Sequence, residues 1–204
     1  MSLSEDQILR YSRQILLSAV GGTGQEKLLA QGATLTGEGC AQSVAAAYLA
    51  GGGTPLETRE RPVSGEEVGF LLGAADVGKS LRSTTSAALL DANPDARAEV
   101  GERGVVGELP ASFSGPAPWV ALGWSKKNGA VVYRSKNGCQ ACFEATAGGL
   151  TNGPSSARSV MLGALGALAF QRLVLGLSED LGGVWLDESG ALTPMTLTRC
   201  EAHR

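Results

Sequence analysis

Clusters of basic residues, secretion signals and uninterrupted membrane-spanning runs are all missing from this sequence. Its 17 lysines and arginines are dispersed among 20 acidic residues, and the net charge of −3 excludes the basic surface typical of nucleic-acid-binding proteins. The N-terminus has neither the basic nor the apolar region of a signal peptide. The longest apolar stretch, 160–177, contains Gln171 and Arg172 and is expected to be a buried helix. We therefore expect a cytoplasmic protein that binds neither membranes nor nucleic acids.

Aromatic residues are also scarce, at 5% of the chain, whereas glycine is abundant, with 29 copies. This balance predicts a loop-rich protein whose core contains many small side chains. The hydrophobic content of 43% is sufficient for a real core, and a length of 204 residues is typical of one domain.

The stretch 33–53 has the pattern of a strand, a glycine turn and a helix, as at the start of a nucleotide-binding βαβ unit. A β-prone run at 33–36 leads into Gly37 and Gly39, and an Ala-rich helix is predicted from about Gln42 to Ala50. In such turns the glycines let the backbone approach a phosphate, which the helix N-terminus then binds. Here Gln42 replaces the third glycine of the motif, and the carboxylate of Glu38 would repel a phosphate. The pattern itself therefore favours a turn kept for packing.

Capping and turn residues predict several further elements. Ser4 is a good N-cap for a helix from about Glu5 to Leu17, with apolar residues near helical spacing. Asn128-Gly129 predicts a hairpin turn between two β-prone runs. The last helix is expected to begin at 155–159 and to end at Gly176, followed by two strands around the turn 188–190.

Two pairs of potential metal ligands share one spacing. Cys139 and Cys142 form a C-x-x-C pair, and Cys200 and His203 form a C-x-x-H pair near the C-terminus. Three thiolates and one imidazole are a good tetrahedral zinc set. The spacing alone is equally compatible with a redox-active cysteine pair and a frayed C-terminal tail. The fourth cysteine, Cys40, is expected to be a small buried residue.

The segment Arg10 to Gly39 resembles the opening of the ThiF/MoeB/HesA family, relatives of the ubiquitin-activating enzymes. That family begins with an R-Y-x-R-Q helix, then V-G-x-x-G-Q-x-K-L, then a glycine-rich ATP loop. The matching positions are Arg10, Tyr11, Arg13, Gln14, Gly21, Gly24, Gln25, Lys27 and Leu28. The resemblance implies a dimeric adenylyltransferase that uses Mg-ATP to activate the C-terminal Gly-Gly of a ubiquitin-like sulfur carrier. It also implies that Arg13 reaches the nucleotide bound by the partner subunit.

The resemblance extends to the cysteine pairs, because the family holds a structural zinc between two C-x-x-C motifs. It therefore favours zinc at Cys139, Cys142, Cys200 and His203, in a structural role that leaves no coordination position open for water. No cysteine lies between Cys142 and Cys200, where the family carries its thioester or persulfide cysteine.

Most of the functional positions of the family are substituted in this chain. Only Gly37 and Gly39 remain of the ATP loop, with Arg13 as a possible cross-subunit contact. Arg59 and Arg61 stand where two aspartates would bind ribose, and arginine cannot accept hydrogen bonds. Leu81 stands where the family has a catalytic lysine, and the segment 100–118 lacks the aspartate that binds magnesium. The sequence thus offers no catalytic residue and little support for ATP or Mg²⁺ as cofactors.

Together these observations predict an α/β fold with a Rossmann-like parallel sheet, flanking helices, an N-terminal helical arm and a zinc-pinned C-terminal β segment. The expected single domain comprises an arm (1–32), a reduced nucleotide-fold half (33–118) and a C-terminal part (119–204). The first functional prediction is an inactive homologue that forms a dimer, either with itself or with a paralogue. It would act as a scaffold or partner for an active paralogue or for a ubiquitin-like sulfur carrier. The alternatives are an active adenylyltransferase with Arg59, Arg61 and Lys79 in a rebuilt ATP site, and a module that binds another anion there.

Overall fold

The computed structural model describes residues 2–68, 71–97, 99–153 and 157–203. Within these ranges the α-helices are α1 (Glu5–Arg10), α2 (Ser12–Ile15), α3 (Gly21–Ala30), α4 (Cys40–Gly51), α5 (Leu81–Ala92), α6 (Gln140–Ala147) and α7 (Ala157–Leu175). The strands in the same ranges are β1 (Gly32–Gly37), β2 (Leu56–Thr58), β3 (Arg103–Glu108), β4 (Trp119–Ser125), β5 (Asn128–Arg134), β6 (Leu181–Leu186) and β7 (Leu192–Pro194). Short 3₁₀ turns complete the described chain at Gly65–Glu67, Ala74–Asp76, Pro94–Arg97 and Glu201–His203.

All seven described strands belong to one sheet, in the order β2-β1-β3-β4-β5-β6-β7. The first four strands are parallel, and the pairs β4–β5, β5–β6 and β6–β7 are antiparallel. The predicted α/β fold is confirmed, with a parallel nucleotide-fold half extended by an antiparallel C-terminal half in the same sheet.

Helices cover both faces of this sheet. On one face, α4 and α7 pack over β1, β3, β4 and β5 and bury the larger hydrophobic cluster. On the other face, Phe143 and Ala147 of α6 pack on Trp119, Ala121 and Val132. Because side chains alternate along a strand, neighbours such as Val131 and Val132 belong to opposite clusters.

The strand, glycine turn and helix predicted at 33–53 are confirmed. β1 extends the predicted run by one residue at each end, and α4 begins at Cys40, two residues before the predicted start. The glycines at 51–53 end the helix, and Gly53 has a φ of +89°, which favours glycine.

The predicted continuous helix from Glu5 to Leu17 is wrong, because the backbone breaks at Tyr11 between α1 and α2. Ser4 does cap α1, in a reciprocal capping box with Gln7. Tyr11 is only 1% exposed, and its hydroxyl donates to the carboxylate of Asp95 at 2.7 Å and accepts from the amide of Asn93 at 2.9 Å. The apolar residues of α1 lie on the surface, with Leu9 75% exposed, as does Leu16 directly after α2, which is 84% exposed.

The predicted hairpin forms, but its turn lies two residues before the predicted Asn128-Gly129. Ser125 pairs with Asn128, so Lys126 and Lys127 form the loop, and Lys126 has a φ of 55°. Gly129 is instead inside β5, where an added Cβ would lie 3.3 Å from Leu162. Glycine at position 129 therefore allows α7 to pack closely on β5.

α7 ends at Leu175, and Gly176, the predicted end, follows it with a φ of +73°. Its described part begins at Ala157, within the predicted 155–159, and residues 155 and 156 lie outside the described residues. The two strands predicted around 188–190 are β6 and β7. By length and composition α7 could cross a membrane, with 33% of its apolar window buried in the fold. α7 packs against α4 and the sheet, while its Leu168 is 50% exposed.

Replacement of Gly163 by alanine tests the close packing of α4 and α7. A Cβ there would collide with the backbone carbonyl of Ala41 and lie 2.7 Å from Val44 Cβ, so the helices would have to separate. We expect Gly163→Ala to lower the free energy of unfolding, measured with urea, by about 1–3 kcal/mol.

The control is Gly22→Ala in α3, where an added Cβ meets no atom within 4 Å. This variant is expected to be neutral or up to about 1 kcal/mol more stable, because alanine has the higher helix propensity. Equal effects of the two substitutions would contradict the close contact.

Candidate metal centre and glycine turn

The fold brings both predicted ligand pairs together. Cys139 is the N-cap of α6 and Cys142 lies in its first turn, while Cys200 and His203 lie at the C-terminal 3₁₀ turn. Their ligand atoms all lie within 4.8 Å of one another. Residues separated by about 60 positions in the chain thus form one cluster that could hold a metal ion such as zinc.

The distances within the cluster fit a tetrahedral ion. The sulfurs of Cys139 and Cys200 are 3.8 Å apart, and His203 Nδ1 lies 3.4 Å from the sulfur of Cys142 and 3.2 Å from that of Cys200. Zinc with bonds of about 2.3 Å to sulfur and 2.0–2.1 Å to nitrogen would separate its ligands by about 3.8 Å (S–S) and 3.5 Å (S–N). The three observed distances differ from these values by about 0.3 Å or less.

The electrostatics of the cluster favour a thiolate. A hydrogen bond from the backbone N–H of Cys142 is the main reason why the pKa of Cys139 falls to about 7. The neighbouring thiol of Cys142 raises the pKa of Cys200, as expected when closely spaced sulfurs share one negative charge. The backbone N–H of Cys200 points at Cys142 Sγ over 3.3 Å, a common feature of metal-binding cysteine loops.

A metal here would fasten the C-terminal segment to α6. That segment already runs beside the helix, where the N–H of Thr198 donates to Thr146 Oγ1 at 3.0 Å. Four protein ligands would leave no open position, so the arrangement suits a structural ion and not a catalytic one. Cys40 is buried at the start of α4 and lies outside the cluster, as predicted.

The glycine turn between β1 and α4 has a conformation that requires glycine. Gly37 and Gly39 have φ angles of +92° and +145°. The carbonyl oxygen of Gly37 accepts hydrogen bonds from Arg61 Nη2 at 2.8 Å and from Gln42 Nε2 at 3.3 Å. Gln42, the residue in place of the third glycine, therefore stabilises the turn through this hydrogen bond.

Glu108, a residue that the sequence analysis missed, occupies the N-terminus of α4. It is the last residue of β3 and is only 1% exposed. Its carboxylate accepts hydrogen bonds from the backbone N–H groups of Gln42, at 3.1 Å, and Ala41. A Cβ at position 39 would collide with this carboxylate. In contrast, Glu38, the acid predicted to lie inside the turn, is 54% exposed at its side chain.

Burial raises the pKa of Glu108 from its ordinary 4.5 to about 7, although the two backbone hydrogen bonds act in the opposite direction. The nearby Glu66 and Glu67 raise the pKa further. Because the folded state holds the proton more tightly than the unfolded chain, the resulting stabilisation is complete below pH 4.5 and is lost as the pH rises through about 7.

The cationic residues predicted near the phosphates have other partners in the structure. Arg61 binds the buried carboxylate of Glu67 through both oxygens at 2.7 Å, and Lys79 Nζ lies 2.9 Å from Asp76. Arg59 is exposed after β2, and Arg13 is exposed on α2. Among these four cations, Arg61 and Lys79 are thus engaged in ion pairs with neighbouring carboxylates.

The space beside the turn is nearly closed. A cavity of about 10 Å³ remains there between β1, β2, α4, α5 and the 3₁₀ turn at 65–67. Leu81 is 3% exposed and packs with Val63 and Leu72 at this position. The cavity is lined by Leu35, Gln42, Ser43, Ala46, Thr58, Glu67, Leu71, Leu72, Leu81 and Thr85.

No family model matches the sequence, and no curated protein matches it. Solved structures do match the fold. PaaA superposes with a TM-score of 0.72 at 15% identity, covering 95% of this chain and 84% of PaaA. E. coli MccB bound to MccA-N7isoASN gives a TM-score of 0.73 at 15% identity, covering 98% of this chain and 74% of MccB. These matches show that the chain shares its fold with PaaA and MccB, which is the fold that the resemblance implied.

Metal analysis of cysteine variants tests the centre. Protein purified with zinc is expected to hold one ion per chain, and Cys142→Ser to lose it and melt roughly 5–10 °C lower because the C-terminal anchor is gone. Elemental analysis and thermal unfolding provide the measurements. Cys40→Ser is the matched control, since Cys40 lies outside the cluster. Similar zinc contents in both variants would rule out the assignment.

Proposed function

We propose that this protein is a catalytically inactive homologue of the enzymes that activate ubiquitin-like proteins, and that it acts as a dimerising scaffold. Its partner would be an active paralogue or a ubiquitin-like sulfur carrier. The observation that carries the proposal is the nearly closed space beside the glycine turn. A cavity of about 10 Å³ has room for one water at most, whereas sites for small molecules usually enclose about 300–1,000 Å³.

The side chains around this space support the same proposal. Leu72 and Leu81 fill it with apolar atoms, and Glu67 adds a buried carboxylate. Adenylation depends on neutralising the charge of a triphosphate held in position. Arg61 is the one predicted cation that reaches the turn, and Glu67 already neutralises its charge. A rebuilt ATP site would require this ion pair to break.

The fold of the structural relatives supports a protein or peptide partner. MccB has been crystallised with ATP and with MccA, so this fold accommodates a nucleotide and a second chain. We propose that the present chain binds a second protein chain and does not bind a nucleotide. Within this proposal residues 1–204 form one domain, and the metal centre maintains its C-terminal part.

A groove beside α7, lined by exposed leucines together with Arg172, Glu179 and Arg199, supports dimerisation. The groove encloses about 810 Å³ between α7 and strands β5, β6 and β7. Leu168 and Leu192 on its walls are 50% and 51% exposed. Apolar surface concentrated in this way usually marks an interaction site. A twofold dimer would bury it by placing the same helix of each copy against the groove of the other.

Calorimetric titration of Mg-ATP into the zinc-loaded protein tests the proposed inactivity. We expect no binding heat at millimolar nucleotide, because neither the space nor the cations needed for a triphosphate are available. An active adenylyltransferase of this fold serves as the positive control. Micromolar binding would overturn the proposal and favour the rebuilt ATP site, with Arg59 and Arg61 as the first residues to replace.

Light scattering coupled to gel filtration tests the proposed dimer surface. The unsubstituted protein is expected to have the mass of a dimer, and Leu168→Asp to have that of a monomer, because a charge would be buried in the interface. Val77→Asp is the matched control, since Val77 is similarly exposed, at 49%, but lies outside the groove. Loss of the dimer in both variants, or in neither, would contradict the assignment of this surface.

A further inference from the structure

The glycine turn retains the features of an anion site although the cavity beside it is closed. We propose that the turn 37–42 is an oxyanion cradle that the chain fills with the carboxylate of its own Glu108, and that this carboxylate excludes phosphate from the cradle. The inference rests on the proposed function, since it explains how a chain with this fold excludes the phosphates of a nucleotide.

The backbone of the turn supplies the donors. Gly39 precedes α4 with a φ of +145° and has no side chain to cap the helix. The N–H groups of Ala41 and Gln42 therefore need an external acceptor, and a helix N-terminus favours a negatively charged one. Glu108 provides two carboxylate oxygens there, in the position in which a phosphate would accept the same hydrogen bonds.

Groups from several elements hold the carboxylate of Glu108 in the cradle. The N–H of Glu108 donates to Gln42 Oε1 at 3.4 Å, so the two residues bind each other through both side chains. Gln42 and Arg61 then hold the carbonyl oxygen of Gly37. The requirement for glycine at position 39 also follows from Glu108, because a side chain there would displace the carboxylate.

An unsatisfied hydroxyl marks the same end of the helix. Ser43 lies in the first turn of α4, is 8% exposed and lines the small cavity, yet its Oγ has no hydrogen-bond partner among the described residues. It is a second polar group directed into the space next to the cradle. The charged groups near the carboxylate are Glu66, Glu67 with its partner Arg61, and the exposed Glu38.

Phosphate binding to zinc-loaded, full-length variants tests the proposal. Glu108→Ala removes the internal ligand, and we expect it to bind inorganic phosphate about tenfold more tightly than the unsubstituted protein does, because the N–H donors become free. The measurement is an NMR titration that follows the Ala41 and Gln42 amides. Glu38→Ala is the matched control, since it removes the same charge from the turn but leaves Glu108 in place. Tighter binding in Glu108→Ala alone supports the proposal.

An equal gain in Glu38→Ala would show a general charge effect and overturn the proposal, as would no gain in either variant. If Glu108→Ala does not fold, the unsubstituted protein and Glu108→Gln still decide the question. The Ala41 and Gln42 amides should shift with a midpoint near pH 7 in the unsubstituted protein and remain unshifted in Glu108→Gln. Ala41 and Gln42 amide shifts that are the same in both proteins above pH 7 would refute the proposal, because the carboxylate would then not contact these N–H groups. Binding of Mg-ATP to that protein would instead contradict the proposed function.

Discussion

The contact between α4 and α7 fixes the position of the glycine turn. Gly163 of α7 lies against the first turn of α4, at the carbonyl of Ala41, where a methyl group would not fit. This close approach places the N-terminal N–H groups of α4 between β1 and β3, within reach of Glu108. The sequence is poor in aromatic residues and rich in small ones. A small residue, Gly163, lies where two helices approach closely on one sheet.

The buried carboxylate of Glu108 satisfies the N–H donors at the end of the glycine turn. Removing the glycines would force the backbone into another path, because Gly37 and Gly39 have positive φ angles. Leaving the helix N-terminus buried and empty would cost about 1–3 kcal/mol for each unsatisfied N–H. Glu108 accepts hydrogen bonds from these N–H groups, and its burial raises its pKa. The backbone conformation of the turn is thereby kept, with a side chain of the protein as the acceptor.

Local patterns predicted the strand, turn and helix at 33–53 and the end of α7, because capping and periodicity act over a few residues. The metal cluster was predicted from ligand spacing with the family resemblance. The break at Tyr11 was not predictable locally, since its cause is a contact with Asn93 and Asp95, more than 80 residues away. Glu108 was missed for the same reason: only the pairing of β1 with β3 brings it to α4.

The metal cluster and the glycine turn belong to opposite faces of the sheet. α6, which carries Cys142, packs on the face of Trp119 and Val132, whereas α4 packs on the face of Leu35 and Val106. Four potential metal ligands thus lie on the side of α6, while one buried leucine, Leu81, and two buried carboxylates, Glu67 and Glu108, lie near the glycine turn.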